Sequence, residues 1–259
     1  MKKIILFFQL FYCLITYSQK GYVEYGYIES LGLGNALGLD YNSSLYFDKN
    51  NSYYVTKKEN LETPEKIAGT KVVEEDGEIK AVFNGMGVSN EGNQVYYSNN
   101  QKKMYSSLFF KNRILVDDGF INIEWKINTE TKKIGNFSCI KATTTFRGRN
   151  YTAWFTTDIP VPYGPWKLNN LPGLILEAYD EDKYVYWYFK NIEFPSMKSQ
   201  EIESDITKNL NSYINYTSFK QFQEKELIKI EEKNAMLMKE IPSMKITSPK
   251  LNELFIECE

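Results

Sequence analysis

Between Ala153 and Asp180 the chain reads AWFTTDIPVPYGPWKLNNLPGLILEAYD, and its Pro160, Pro162, Pro165, Pro172, Gly164 and Gly173 leave no room for a regular helix. Proline fixes φ, removes an N–H donor and pushes the residue before it towards extended backbone. Ile159 and Val161 are therefore held extended, Gly164-Pro165 sets a turn, and Pro172-Gly173 fits the two central positions of a type II turn ahead of a strand at Leu174. Such rigid punctuation dictates how two sheet segments meet, or presents a ledge to a partner.

On both sides of this block the residues alternate with the period of a strand. Gly21 to Glu29 places Val23, Tyr25 and Tyr27 on one face. Leu31 to Ser44 reads as a loop: Gly32, Gly34 and Gly38 imitate a nucleotide-binding fingerprint, but the last spacing is wrong and no Lys-Ser or Lys-Thr follows. Further strands are expected at Leu45–Phe47, Ser52–Lys57, Val72–Glu74, Gln94–Asn99 and Lys103–Phe110, with Asp117-Asp118 as a turn. The clearest alternation is Ile121 to Ile127, with Ile121, Ile123, Trp125 and Ile127 on one face. In Gly135 to Phe146 the same logic puts Cys139 on the polar face. Arg147, Gly148, Arg149 and Asn150 make a hairpin turn into Tyr151–Thr156. Leu174–Tyr179 and Tyr184–Ile192 form a second hairpin, turned at Asp180, Glu181, Asp182 and Lys183.

From Ser196 the period becomes helical, with Ile202, Ile206 and Leu210 four apart and Phe219, Phe222, Leu227 and Ile230 following. Ser218 with Gln221 reads as a capping box, and Pro242 as a stop. The predicted architecture is mainly β: a curved antiparallel sheet or partly open barrel with a C-terminal helical segment, α+β overall. Residues 19–194 form the β body and 195–259 a helical segment packed on it or extending from it.

Of the 259 residues none is histidine, which removes the Ser-His-Asp triad, the Cys-His pair, His-ligated zinc and the imidazole switch together. Lys+Arg 31 against Asp+Glu 33 leaves no basic footprint for nucleic acid. Lys2 and Lys3 precede an apolar run from Ile4 to Ile15, shorter than the roughly 20 residues a spanning helix needs. Residues 1–18 read as a signal peptide, giving a mature chain without a transmembrane segment in the periplasm or outside the cell. Cys139 and Cys258 then remain, to pair as a disulfide in an oxidising compartment or to stay as thiols.

The block Asn170, Leu171, Pro172, Gly173, Leu174, Ile175, together with the Arg147-Gly148-Arg149 turn, Trp154, Ile159-Pro160 and Gly164-Pro165, resembles the GLPGLI family of Gram-negative envelope proteins. Asn170 stands where the family motif has its first glycine, and asparagine also tolerates positive φ. The resemblance implies a secreted or periplasmic β-rich protein, often encoded beside TonB-dependent outer-membrane transporters. It brings no catalytic residue and no cofactor.

Three functions follow. The first is a non-catalytic envelope protein that binds a partner, such as an outer-membrane transporter, or a ligand. Its surface would use Trp154 and Trp166 for stacking and Arg147 and Arg149 for carboxylate or phosphate groups, if they are more than a solvated hairpin tip. The second is a secreted hydrolase using carboxylates such as Asp158 and Glu177. The third is a carrier of a lipid or other apolar molecule held between the sheet and the C-terminal helix. The acidic cluster Asp180, Glu181 and Asp182 lacks the ligand spacing of a calcium loop. Cys139 lacks a histidine base to make it a nucleophile.

Overall fold

A computed structural model of the chain describes residues 20–31, 38–67, 71–75, 78–82, 87–198, 206, 212–243 and 245–259. The expected signal peptide, with Gly32, Gly34, Ile202 and Leu210, lies outside these residues. The first half contributes β1 (Gly21–Glu29), β2 (Leu39–Phe47), β3 (Asn51–Thr56), a short helix α1 (Pro64–Ile67), β4 (Lys71–Glu75), β5 (Glu78–Val82), β6 (Asn93–Ser98), β7 (Lys103–Phe110) and β8 (Asn112–Gly119). The second contributes β9 (Lys126–Ile134), β10 (Phe137–Phe146), β11 (Arg149–Thr156), β12 (Leu174–Asp180), β13 (Val185–Glu193), β14 (Ile214–Asn215), the long helix α2 (Tyr216–Glu240) and a short helix α3 (Leu251–Leu254).

Twelve of the strands form one sheet in the order β14-β8-β7-β6-β3-β2-β1-β13-β12-β11-β10-β9, and β4 and β5 make a separate hairpin. The order never returns on itself, so the sheet is open. Neighbours run antiparallel except β14 beside β8, which are parallel. The two halves meet at the centre, where β1 pairs with β13 and Tyr27 stacks on Trp187 at 5.1 Å between ring centroids. Register shifts at Glu24/Tyr25, Met104/Tyr105, Ile140/Ala142 and Trp154/Phe155 insert bulges that bend their strands.

The Pro/Gly block lies inside this sheet. Ile159, Val161, Tyr163, Trp166, Leu168 and Leu171 are all buried. Tyr163 reaches Phe47 of β2 and Tyr97 of β6, and Trp166 reaches Tyr54 of β3. The loop thus links β11 and β12 to the opposite half of the molecule. Its buried backbone is satisfied locally, as by Leu174 N–H to Ile159 O at 3.0 Å and Ile175 N–H to Tyr163 O at 3.0 Å.

Several expectations are corrected. Residues 39–44 belong to β2, so strand structure starts well before Leu45. Asp117 and Asp118 close strand β8 instead of making a turn. Ile121 to Trp125 alternates in burial, with Ile121 and Ile123 buried and Asn122 and Glu124 exposed, yet no strand is formed until Lys126. Alternation reports which side chains face the core; it does not supply a ladder partner. Here Glu124 O accepts from Thr144 Oγ1, and Ile127 is 50% exposed.

Cys139 is fully buried, because the Ile140/Ala142 bulge breaks the alternation and turns Cys139 and Ala142 inward together. Helix α2 is capped by Asn215, whose side chain accepts from Ser218 N–H, so Ser218 is inside the helix and not its cap. Pro172-Gly173 is not a type II turn either: the left-handed residue is Asn170, φ 73°. Gly173 is required for a different reason, since a β-carbon there would lie 2.1 Å from Thr156 O on β11.

Candidate functional site

Between the inner face of the sheet, the start of α2 and the segment following α3 lies a cavity of about 120 Å³. Leu108, Phe110, Ile114, Phe219, Phe222 and Phe255 supply most of its apolar wall. These residues converge because β7 and β8 present one face to α2, whose Phe219 and Phe222 lie three positions apart on one helix side. Phe110 meets Phe222 edge-on at 5.8 Å and Phe255 at 5.2 Å. An enclosed apolar cavity of ~150 Å³ holds a benzene-sized molecule; this one is somewhat smaller and partly open to solvent, on the scale of a small ring or the end of a chain that projects from its mouth.

Polar side chains complete the lining: Glu29, Thr56, Lys57, Asn93, Gln223 and Glu257. Glu29 and Lys57 form an ion pair at 2.6 Å. Trp166 and Gln223 line the cavity too, and Trp166 Nε1 and Gln223 Oε1 are buried without a hydrogen-bond partner. Trp166 also holds a left-handed backbone, φ 56°, a conformation rare for any residue with a β-carbon. A second depression of about 610 Å³ over β9 to β12 is lined by threonines with Asn150, Tyr179 and Glu181, a polar surface unsuited to apolar cargo.

Behind the cavity sits a cluster of four buried charges. Asp118 at the end of β8 accepts from Arg147 Nη1 at 2.6 Å and from Lys167 Nζ at 2.9 Å. Glu257 pairs with the same two cations, with Lys167 Nζ 2.5 Å from Oε1 and Arg147 Nη1 on Oε2. Ser106 adds a hydroxyl donor to Asp118, and the Arg147 guanidinium lies over the Tyr216 ring at 3.6 Å. Two anions and two cations balance, which is what makes ions tolerable away from water. Burial pushes the Asp118 carboxyl up, but Lys167 and Arg147 outweigh it and hold its pKa below the usual value. Burial likewise lowers the Arg147 pKa, and Glu257 and Asp118 more than reverse this.

Arg149, two residues on, completes the arrangement. It pairs with Asp180 at 2.7 Å and donates to the main-chain carbonyls of Ile256 and Phe255 at 2.8 Å each. The β10–β11 hairpin puts both arginines here because Arg147 (φ 46°) and Gly148 (φ 82°) are both left-handed, the signature of a two-residue type I′ turn.

The four residues expected at a recognition surface are therefore interior. Trp154 is 8% exposed beneath Lys132, whose ammonium lies 4.4 Å from its ring, and Trp166 is 7% exposed. Arg147 and Arg149 are buried because they neutralise Asp118, Glu257 and Asp180. Asp180 itself is buried at the end of β12, where Val185 N–H also reaches it. Of Asn170, Leu171, Pro172, Gly173, Leu174 and Ile175, the three aliphatic residues lie in the core and Gly173 is buried, while Pro172 is exposed and Asn170 donates to Asn122 Oδ1 at 3.0 Å.

Of the carboxylates considered for hydrolysis, Glu177 is held by Lys132 at 2.6 Å and Asp158 is exposed. Cys139 and Cys258 are unpaired. Cys139 lies near the start of β10, and Cys258 sits beyond its end against Arg147 O and Gly148 O. About eight residues of extended strand, roughly 25 Å, separate the two places, far beyond disulfide reach.

The sequence reading missed Asp118, Lys167, Gln223 and Glu257. A signal existed for two of them: Lys167 stands between Trp166 and Leu168, and Glu257 follows Leu254, Phe255 and Ile256, each a charge set in an apolar run. Among the described residues no group of acidic or cysteine side chains is arranged to hold a metal ion, and no helix is long and apolar enough to cross a membrane.

The fold and cavity define an open β-sheet protein whose long helix packs at one end of the sheet, beside a small, mainly apolar chamber. Residues 145–177 match the model of the Porph_ging family, proteins of unknown function. That segment carries Arg147, Arg149 and Lys167, which join the hairpin, the Pro/Gly block and the C-terminal segment, together with Trp154, Trp166 and Gly173. No curated protein matches the chain.

Among solved structures, PNGF-II in its P21 crystal form aligns with TM-score 0.50 and 14% identity over 79% of this chain and 33% of that one, a likeness of fold. The C2 form of PNGF-II gives TM-score 0.47 and 15% identity, over 76% and 30%. The LolA superfamily protein NE2245 from Nitrosomonas europaea gives 0.28 and 10%, over 73% and 90%. The chain spans about a third of the length of PNGF-II.

Proposed function

We propose that this protein binds a small apolar or amphipathic molecule, without chemistry on it, in the chamber between sheet and helix. The carrying observation is the lining: aromatic and aliphatic side chains from β7, β8, α2 and the segment after α3 converge on one space. Burying an apolar group there contributes about 0.8 kcal/mol per methylene. The charged start of the chain and its GLPGLI-like motif support a place in the periplasm or outside the cell. The burial of Trp154, Trp166, Arg147 and Arg149 moves the emphasis from a partner surface to this interior site.

The test is binding of 4-fluorotoluene, followed by 19F NMR, to the wild type and to Ile114→Trp, which fills the chamber from β8. Binding lost in the variant while its circular dichroism is unchanged supports the reading. A wild type that binds neither this probe nor a medium-chain alcohol overturns it.

A further inference from the structure

We propose that Leu251–Glu257 is a strap that walls one side of the chamber and lifts as the ligand passes, a mechanism that rests on the ligand-binding reading above. Leu254, Phe255, Ile256 and Glu257 form one wall of the chamber, and Phe255 is buried against Phe110. Yet the strap is no part of the sheet. Among the described residues, one main-chain hydrogen bond ties this region to the body, from Cys258 N–H to Arg147 O at 3.1 Å.

Everything else that holds it is a side chain. Arg149 grips the carbonyls of Ile256 and Phe255, Gln223 Nε2 donates to Glu257 O at 2.8 Å, and Arg147 with Lys167 holds the Glu257 carboxylate. Segments attached this way open without breaking a ladder, the condition for local rather than global opening. Residues 245–250, which lead into the strap, have no regular secondary structure and so offer a hinge.

The latch is also built to survive release. When Glu257 leaves, Arg147 and Lys167 still share Asp118, and the positive charge left over is met by the water that opening admits. The strap's own short helix keeps its turn through Phe255 N–H to Leu251 O at 3.0 Å. Opening would expose the Phe110, Phe219 and Phe222 wall, and an apolar ligand would gain by covering it.

The experiment is amide hydrogen exchange on the full chain, paired with 19F NMR of 4-fluorotoluene exchange, in the wild type and in Glu257→Gln. In the wild type the Cys258 amide should exchange at least about a hundredfold faster than ladder amides such as Tyr25 and Trp187. Glu257→Gln keeps the shape but removes the charge; it should speed Cys258 exchange and 4-fluorotoluene release together, by about tenfold, with ladder amides unchanged.

Cys258 exchanging in step with the ladder in the wild type overturns the strap, as does a ligand release rate that ignores a faster-opening strap. Absence of 4-fluorotoluene binding instead overturns the ligand reading. The two failures are distinguishable because the exchange rates are read without ligand.

Discussion

Lys167 places its ammonium 2.9 Å from the Asp118 carboxylate with both side chains wholly removed from solvent. The pair joins the Pro/Gly block to the end of β8, and through Arg147 and Glu257 it reaches the β10–β11 turn and the C-terminal strap. Four segments distant in sequence are thus fixed to one another by one neutral cluster.

Removing one member leaves a buried charge under-compensated. Asp118→Ala is expected to destabilise the protein by about 3–5 kcal/mol, whereas Asp118→Ala with Lys167→Met should recover part of that loss. Urea unfolding of the two variants measures it. A single variant within 1 kcal/mol of wild type, by roughly the scale of an exposed pair, would show that the cluster is not coupled as described.

The same carboxylate sets an acid dependence. Burial opposes its charge, but Lys167 and Arg147 prevail and its folded pKa is lowered. The unfolded chain, with an aspartate pKa of about 3.9, therefore takes up this proton first as pH falls. The stabilisation is present above about pH 4 and is lost as pH falls through the folded value. Asp180 acts with opposite sign: burial raises its pKa despite Val185 N–H and Arg149, so its contribution is present below about pH 4 and is lost as pH rises through the folded value. Asp118→Asn should flatten the fall in unfolding free energy below about pH 4, and Asp180→Asn should steepen it just above that pH. Equal slopes in all three proteins would refute the assignment.

Two glycines with left-handed backbones separate conformational from steric cost. A β-carbon added at Gly119 (φ 68°) would meet nothing within 4 Å, whereas at Gly148 (φ 82°) that atom would lie 2.8 Å from both the Cys258 carbonyl carbon and Sγ. Gly119→Ala should cost about 1–2 kcal/mol. Gly148→Ala should cost more and also raise the exchange rate of the Cys258 amide, since the strap must move aside. Equal thermal shifts, with Cys258 exchange unchanged, would contradict this.

In the motif, Asn170 and Gly173 answer different demands. Asn170→Gly should change stability by less than about 0.5 kcal/mol, because its φ of 73° suits glycine. Gly173→Ala places a methyl 2.1 Å from Thr156 O and should cost about 3 kcal/mol by overpacking. Thermal melts that rank the two in reverse order would sink this division of roles.

Trp154→Ala and Trp166→Ala are expected to destabilise by about 3–5 kcal/mol, the cost of emptying a packed core position. Ile127→Ala, at a half-exposed site on the edge strand, should stay within about 0.5 kcal/mol. Tryptophan variants as stable as wild type would restore the surface reading that burial displaces.

Much of the sheet was legible because period-two alternation and a glycine at a turn are local signals. β7 matches its expected Lys103–Phe110 span, and the 147–148 turn is where glycine placed it. The tolerance of Asn170 for positive φ was legible, since it is intrinsic to the residue, but the reading gave the left-handed place to Gly173. The bulge at Ile140/Ala142 was not, because a one-residue insertion is decided by the partner strand; it reversed the facing of Cys139. Neither was Gly173's role, which depends on β11 passing beside it.

By itself the sequence determined a mainly β architecture, either curved sheet or partly open barrel, a helix after it, the absence of imidazole chemistry and several of the places where the backbone turns. Only the tertiary structure decided that Arg147, Lys167, Asp118 and Glu257 form one cluster, and that a chamber lies between β7, β8, α2 and the strap. The physical reason is range. Backbone propensity and alternation act over a few residues, whereas buried charges choose partners by what is opposite them once the chain has closed, here across more than a hundred positions.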